Sequence, residues 1–311
     1  MAPSNPPPRI NRVALAGATG NLGRPVLDAL LEHFSVVVLS RIGGRSSALK
    51  PHPRLTVHEV DFSSAESIAR VLVANPVDVV VSCLATLALG AQNPLIDASV
   101  TAGVKCFVPA EFGMNSLLPL CGQLPVCEPK VATQAYLKEK TAAYPGFTYM
   151  GIANGLFLDW GIQHGFIIDV ANHTATLYNG GDVPFSATTL ADVAKAVVAV
   201  VYKHGQPETA NRILYIHSAV TTQNTLIKYA TEADGKAWSL TSKDTAEVLQ
   251  ESLDLLHSGI DVMGAMNGFC AVASWTPAYG CDFSKQLDNE LLGIPTMDES
   301  DVRALVRGLL E

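Results

Sequence analysis

Three glycines at regular spacing follow the first apolar run of the chain and precede an amphipathic stretch. They are Gly17, Gly20 and Gly23, within the segment 12–24. One glycine permits a tight turn, another lets the main chain touch a pyrophosphate, and a third lets helix and strand pack closely. The free N–H groups and positive dipole end of a helix N-terminus then attract phosphates. The pattern predicts a strand, a turn and a helix that bind a dinucleotide.

From Arg12 to about Tyr149, short apolar runs alternate with stretches of helical periodicity. Short runs rich in β-branched residues and separated by helices are typical of parallel strands buried on both faces. The strands are predicted at Val13–Ala16, Val36–Leu39, Thr56–Val60, Val77–Ser82, Lys105–Val108 and Phe147–Ile152, and the helices at Leu22–His33, Ala65–Val73, Pro94–Ala102 and Glu128–Ala143. The fold class expected is α/β, a Rossmann-type doubly wound parallel sheet that binds ligands at the carboxyl ends of its strands.

The alternation ends after Gly155. Thr174–Tyr178 and Val183–Ser186 flank Asn179-Gly-Gly-Asp182, which predicts a β-hairpin. A helix over Leu190–Tyr202 and a strand over Ile213–His217 follow, and this strand is expected to rejoin the main sheet. We therefore predict a disordered tail over 1–10, a dinucleotide-binding Rossmann domain over 11–154, and a smaller α+β substrate-capping region over 155–311.

The end of the second strand indicates which dinucleotide is bound. A site that prefers NAD usually has Asp or Glu here, because a carboxylate holds the ribose 2′-hydroxyl and repels a 2′-phosphate. This chain has Ser40 and Arg41, so the repulsion is absent and a planar guanidinium is available for the phosphate. Arg45 and Lys50 follow in the same loop, either as further phosphate ligands or as solvated side chains. The sequence predicts NADP.

Further cofactor contacts are expected at the ends of the next strands. Asp61 follows the third strand, where it either approaches the adenine or caps the next helix. The loop Cys83–Thr86 follows the fourth strand and should pass the ribose and phosphates. The predicted contacts of the first four βα turns are Gly17, Thr19, Gly20, Asn21, Leu22, Gly23, Arg41, Lys50, Asp61, Phe62, Leu84 and Ala85.

Composition and charge exclude several classes of partner. The formal net charge is −8, so neither nucleic acid nor an anionic membrane is an expected partner. The longest apolar stretch, Val77–Ala91, is too short to cross a bilayer. The 8 histidines show no metal-binding spacing, and the 6 cysteines form no C-x-x-C pair. Cys121 and Cys127 share one predicted loop and are expected to be free thiols in a reducing cytoplasm.

Several segments together resemble the atypical short-chain dehydrogenase group of NmrA-like and isoflavone reductase-like proteins, especially its fungal members. These segments are Gly17-Ala-Thr-Gly-Asn-Leu-Gly23, Gly103–Gly113, Ile152-Ala-Asn-Gly-Leu-Phe157, Asp182–Ala194 and Asn211–Ile216. The chain has Ala110 where this family usually has serine, and Asn115 where aspartate is common.

The resemblance implies a catalytic residue. Reductases of this family use a helix lysine as general acid/base, and Lys130 matches that position. Lys130 and Leu137 are two helical turns apart, so a buried Leu137 would turn Lys130 inward, where it could donate a proton or hold the ribose hydroxyls. Glu111, just past the fifth strand, is a second candidate acid, with a structural role in its loop as the alternative. A solvated helix-start lysine is the alternative for Lys130.

The region after the sixth strand is expected to surround the reacting groups. Asn154 and Phe157 should wall the nicotinamide, while Trp160, His164, Phe166 and Tyr178 are candidates for the substrate pocket, with simple packing as the alternative.

A pair of residues on the same helix is an alternative to Lys130 as the catalytic group. Tyr136 and Lys140 have the Tyr-x-x-x-Lys spacing of ordinary short-chain dehydrogenases and lie on one helix face. Tyr136 is not on the face of Lys130, and we interpret this spacing as a coincidence.

The leading hypothesis is a cytoplasmic NADPH-dependent reductase, monomeric or homodimeric, that reduces a hydrophobic aromatic or polycyclic small molecule, with Lys130 as general acid/base. The resemblance suggests secondary metabolism. Two alternatives remain open: a redox-neutral rearrangement or isomerisation with bound NADP as a scaffold, and an NADP-sensing regulator without catalysis.

Overall fold

The computed structural model describes residues 12–310, so the predicted tail over 1–10 lies outside the described residues. The first half of the chain forms β1 (Arg12–Ala16), α1 (Gly23–His33), β2 (Ser35–Arg41), β3 (Leu55–Val60), α2 (Ala65–Ala74), β4 (Val79–Ser82), α3 (Gln92–Thr101), β5 (Cys106–Val108), α4 (Pro119–Gly122), α5 (Glu128–Ala143) and β6 (Thr148–Ala153). The second half forms β7 (Leu156–Phe157), α6 (Leu158–Gln163), β8 (Thr174–Tyr178), β9 (Phe185–Thr188), α7 (Leu190–Tyr202), β10 (Arg212–Tyr215), β11 (Ala219–Thr221), α8 (Gln223–Asp234), β12 (Ser239–Lys243), α9 (Thr245–Ser258), α10 (Val262–Trp275), α11 (Asn289–Leu292) and α12 (Glu299–Gly308).

The largest sheet has seven strands in the order β10-β6-β5-β4-β1-β2-β3. Neighbouring strands from β3 to β6 pair in parallel, as in Val13 opposite Val36 and Val13 opposite Val79. The strand order reverses beside β1, and the predicted doubly wound α/β fold is confirmed. The predicted strand Ile213–His217 corresponds to β10, which takes the edge of this sheet.

Contacts between Cα atoms divide the chain into two units, each made of several stretches. The first contains the residues up to Ala110, together with Tyr136–Met150 and Val197–Arg212. The second contains Glu111–Ala135, Gly151–Ala196 and the residues from Ile213 onward. Each unit has its own hydrophobic core. No helix between residues 12 and 310 has both the length and the hydropathy needed to cross a membrane.

The predicted β-hairpin around residues 179–182 is wrong. β8 pairs in parallel with β12, whereas β9 pairs with β11 and β7. The intervening Asn179 donates from its amide to Thr245 Oγ1 and to the Trp275 carbonyl, at 2.9 Å each. The turn is therefore held by α9 and α10, and the two strands join different sheets.

A buried serine–histidine pair connects β9 to the C-terminal part of the second unit. Ser186 Oγ lies 3.0 Å from His217 Nδ1 and accepts the Phe283 N–H at 2.9 Å. The serine hydroxyl proton is then free to bond the unprotonated Nδ1 of a neutral imidazole. Burial lowers the pKa of His217, with a small opposing effect from Asp282. Burial also lowers the pKa of His204, in the first unit.

These two histidines should make the protein less stable in mild acid. Below the unfolded-state pKa of about 6.5, the unfolded chain binds protons that the native state does not, so the free energy of unfolding falls as the pH drops. The expected loss approaches about 1.4 kcal/mol per pH unit for each histidine below that pKa. Urea unfolding at about pH 7.5 and about pH 5.5 measures it.

The variant His217→Asn keeps an acceptor near Ser186 and should flatten the pH dependence, and adding His204→Asn should flatten it further. His257 is exposed at the end of α9, and His257→Asn should leave the pH dependence of the wild type. If the free energy of unfolding of the double variant depended on pH as steeply as that of the wild type, the pH dependence would not come from His204 and His217.

Candidate active site

The turn after β1 depends on two close approaches of the main chain. Gly17 has a φ of +83°, and a Cβ atom there would overlap the carbonyl of Cys83 at the end of β4. A Cβ atom on Gly23 would overlap the Gly17 carbonyl. The Gly20 N–H donates to Gly17 O at 3.0 Å and closes the turn. Gly17 and Gly23 must therefore lack side chains for the helix to start against the sheet.

A cavity of about 510 Å³ lies at this turn, within the first unit. The predicted cofactor contacts that line it are Gly17, Thr19, Gly20, Arg41, Phe62, Leu84 and Ala85. Leu22 and Gly23 are buried where the helix starts, and the lining does not include Asn21, Lys50 or Asp61. Bare glycine main chain at a helix N-terminus, next to apolar side chains, fits a dinucleotide.

The cavity ends in a basic turn after β2. The Gly44 N–H donates to the Arg41 carbonyl at 2.9 Å, and Arg41 and Arg45 are both exposed and line the cavity. Within residues 12–310, neither guanidinium forms an ion pair with a carboxylate. Ser40 donates to the Arg41 carbonyl at 3.3 Å and brings no negative charge. Two unpaired guanidinium groups at this position suit a 2′-phosphate.

Asp61 does not cap the helix that follows it. Its Oδ1 accepts the Ser63 N–H at 2.9 Å and the Ser63 hydroxyl at 2.7 Å, which lowers its pKa. Ser64 is the cap, since its Oγ accepts the Ser67 N–H at 3.1 Å. The prediction that Asp61 caps α2 is wrong because the local turn with Ser63 occupies the carboxylate.

Lys130 points inward near the start of α5, in the second unit. The residue is only 8% exposed, and its Nζ donates to the main-chain carbonyl of Glu111. A Cβ atom on Gly113 would lie 3.1 Å from Lys130 Nζ, so the glycine leaves room for the ammonium group. Leu137, two turns further along α5, is fully buried, as the orientation of Lys130 required. Lys130 is therefore not a solvated surface lysine.

The Glu111 side chain is buried and held by two hydrogen bonds. Its carboxylate accepts from Ser116 Oγ at 2.8 Å and from Gln134 Nε2 at 2.7 Å. Gln134 lies one helical turn after Lys130, and a Cβ atom on Gly151 would lie 3.0 Å from Glu111 Cγ. Ser116 and Gln134 were not predicted as site residues, because in the sequence their polar side chains look like those of surface residues.

Tyr136 and Lys140 form a separate network. Asp97 Oδ1 accepts from Tyr136 Oη and from Lys140 Nζ, at 2.7 Å each. Burial and the bond to Asp97 raise the pKa of Tyr136, and the same carboxylate raises the pKa of Lys140. A catalytic tyrosine needs the opposite shift, so the geometry favours a structural role for this pair.

Asn154 is fully buried just after β6, and its Oδ1 has no hydrogen-bond partner within the described residues. Its N–H donates to the Gly113 carbonyl at 3.1 Å, and its carbonyl accepts from Thr188 Oγ1 at 2.6 Å. Phe157 is half-buried at the end of β7. These bonds hold Asn154 beside the loop of Glu111 and Gly113.

A second cavity, of about 310 Å³, lies within the second unit. Of the predicted substrate contacts, Tyr178 and Phe166 line it, and both rings pack on the buried Trp275, with Tyr178 stacked at 4.6 Å. Trp160 and His164 stack on each other at 4.4 Å and do not belong to this lining. The neighbouring residues Gly165 and Thr176 also line it and were not predicted. The rest of the lining was missed because it comes from distant segments: Lys243, Val248, Glu251, Ser252, Leu255, Gly264, Asn267 and Gly268.

Comparison with known proteins agrees with this geometry. Residues 17–204 match the model of the NAD(P)H-binding family. Oxidoreductase aprR of Aspergillus flavus is 29% identical over 302 residues, which are 95% of this chain and 98% of the relative.

Two solved structures share the fold. Leucoanthocyanidin reductase of Vitis vinifera, solved with NADPH, matches with a TM-score of 0.75 and 16% identity, over 95% of this chain and 99% of the other. Isoflavone reductase matches with a TM-score of 0.73 and 18% identity, over 96% and 99%. The resemblance inferred from the sequence is confirmed: the chain belongs to the NAD(P)H-binding family and is an oxidoreductase with the fold of isoflavone reductase.

Proposed function

We propose that this oxidoreductase uses NADPH to reduce a small hydrophobic, aromatic molecule, and that Lys130 supplies the proton. The observation that carries the proposal is the inward-facing ammonium group of Lys130, bonded to the Glu111 carbonyl. A buried ammonium is costly unless it has a specific partner, so its placement favours a chemical role. The fungal relative supports a place in secondary metabolism.

The preference for NADPH is supported by the basic turn after β2. Arg41 and Arg45 line the cavity without carboxylate partners, and Ser40 stands where an acidic residue would repel a 2′-phosphate. The glycine main chain of Gly17 and Gly20 would hold the pyrophosphate. Leucoanthocyanidin reductase, which shares the fold, was solved with NADPH.

When bound, NADPH supplies a hydride to an electrophilic carbon of the substrate. Lys130 Nζ gives a proton to the oxygen on which negative charge develops, and the Glu111 carbonyl fixes the direction of the ammonium group. The Glu111 carboxylate is itself held by Ser116 and Gln134, so the residue that orients Lys130 is fixed in place. We therefore assign Lys130 as the general acid and Glu111 as a positioning residue.

The cavity in the second unit supports an aromatic substrate. Its volume, about 310 Å³, is at the small end of ligand pockets. Phe166 and Tyr178 offer ring faces whose positions are fixed by packing on Trp275. A flat ring could stack on them. The polar groups of Thr176 and Asn267 could orient its substituents.

Removing the guanidinium of Arg41 should weaken the binding of NADPH but not that of NADH. Loss of a charge-assisted bond costs about 1.5–3 kcal/mol, so Arg41→Ala should raise the Kd of NADPH about 10- to 100-fold in calorimetric titration. Arg54→Ala, which removes an exposed arginine outside the cavity, is the matched control and should leave both affinities unchanged. An equal loss of NADPH and NADH affinity in Arg41→Ala would contradict the role of Arg41 as a ligand of the 2′-phosphate.

Replacing Lys130 should abolish reduction while preserving cofactor binding. With a panel of aromatic ketones and quinones, and with turnover followed by NADPH absorbance, Lys130→Met should lower kcat about 10²- to 10⁴-fold. The Kd of NADPH should change by less than about tenfold. A wild type that converts a substrate without consuming NADPH would instead support the redox-neutral alternative.

Two control variants lie on the same helix. Lys138→Met removes an exposed lysine of α5, and Tyr136→Phe removes the hydroxyl of the Tyr-x-x-x-Lys pair. Both should retain turnover. A severe loss in Tyr136→Phe, with Lys130→Met still active, would reassign the proton donor to Tyr136.

A further inference from the structure

Two free cysteines touch one another beneath the segment that leads into α5. Cys121 Sγ and Cys127 Sγ are 3.7 Å apart, and both residues are fully buried in the second unit. Cys121 belongs to α4, and Cys127 directly precedes α5. A disulfide bond requires the sulfur atoms to approach to about 2.05 Å, so a shift of roughly 1.7 Å would join them.

The position of Cys127 favours a nucleophilic thiol. Its carbonyl accepts the N–H groups of Lys130 and Val131, at 2.9 and 3.0 Å, so it stands at the N-terminus of the 16-residue helix α5. A helix N-terminus and a nearby cation both stabilise a thiolate. The hydrogen bond from Cys121 and the charge of Lys130 lower the pKa of Cys127, against the effects of burial and of Glu111.

The remaining cysteines are poorer nucleophiles. The bond to Cys127 and burial raise the pKa of Cys121, which suits the partner that attacks second. Burial raises the pKa values of Cys83, Cys106, Cys270 and Cys281 to about 12. Residues 12–310 contain no group of three or more His, Cys, Asp or Glu side chains placed to hold a metal ion.

We propose that Cys121 and Cys127 form an oxidative modification site that a hydroperoxide converts into a disulfide. The Cys127 thiolate attacks one oxygen of hydrogen peroxide, the O–O bond breaks, and hydroxide leaves to give a sulfenic acid. The Cys121 sulfur then attacks the Cys127 sulfur and expels its hydroxyl group. The two thiol protons combine with the two hydroxide groups to form water. In total, two thiols and one peroxide give one disulfide and two waters, so the cysteines are oxidised and the peroxide is reduced.

A small oxidant is a suitable reagent for this buried pair. The chain over the two thiols is a surface segment in which Leu120 is 48% exposed and Gln123 is also exposed. Local opening of such a short segment requires less free energy than global unfolding. Hydrogen peroxide, close to water in size, needs only a small opening.

The cross-link would act on the first turn of α5. Movement of Cys127 toward Cys121 pulls on the carbonyl that binds the Lys130 N–H, and Lys130 Nζ then leaves its position on the Glu111 carbonyl. This consequence rests on the proposed function of Lys130, whereas the disulfide itself does not. Oxidation should therefore lower turnover reversibly.

To test this proposal, the whole native chain is treated with hydrogen peroxide and its free thiols are then blocked in denaturant. Mass spectrometry of the intact chain and of its peptides identifies the cysteines that are joined. Before blocking, wild type should lose the mass of two hydrogen atoms; after blocking, it should carry four alkyl groups instead of six, with Cys121 and Cys127 joined. Dithiothreitol should reverse this. Cys121→Ser and Cys127→Ser should lose the product, whereas Cys106→Ala, a buried cysteine of β5, should retain it.

Two further measurements distinguish formation of the disulfide from its effect on Lys130. Hydrogen exchange of the Lys130 and Val131 amides should accelerate in the oxidised protein, and NADPH-dependent turnover should fall at least tenfold and recover on reduction. Any other disulfide pattern, or no disulfide under conditions that oxidise a model dithiol, would overturn the site. A cross-link that leaves amide exchange and turnover unchanged would overturn its coupling to Lys130, whatever the outcome for Lys130→Met.

Discussion

The contact between the first glycine-rich turn and the end of β4 determines where a cofactor can lie. Gly17 packs against the Cys83 carbonyl, and α1 starts with Gly23 against the Gly17 carbonyl, so neither position has space for a Cβ atom. Because the turn cannot move outward without breaking these contacts, the cavity between the turn and the Cys83–Ala85 loop keeps its place. The position of this cavity follows from packing of the main chain.

The second constraint is electrostatic. Lys130 lies in the interior of its unit, where an ammonium group loses hydration worth several kcal/mol. The Glu111 carbonyl offsets part of that loss, and the buried Glu111 carboxylate is satisfied by Ser116 and Gln134. A leucine at position 130 would fill the same interior position without losing the hydration of a charged group. This placement supports the proposed role of Lys130 in proton transfer.

Local patterns predicted the parts of this molecule that local interactions build. The strands β1 to β6 and the helices α1, α2, α3 and α5 were predicted to within a few residues, because buried parallel strands are apolar and the longer helices between them are periodic. The short helix α4 was not predicted. The hairpin failed because β8 pairs with β12, more than 60 residues later, and a turn sequence does not reveal such a partner. The cavity around Phe166 and Tyr178 was only partly predicted for the same reason: α9 and α10 complete it.

Lys130 and Lys140, both on α5, show why spacing alone does not define a site. Lys140 follows a tyrosine at the distance expected for a dehydrogenase, yet Asp97 binds both side chains. Burial and the bond to Asp97 raise the pKa of Tyr136, which makes it a weaker acid. Lys130 has no tyrosine at the corresponding distance, and its hydrogen-bond partner is a neutral main-chain carbonyl. A carboxylate on the neighbouring helix, invisible in the spacing, makes the difference. The sequence resembled both arrangements, and only the surrounding residues distinguish the proposed proton donor from a pair that is held in place.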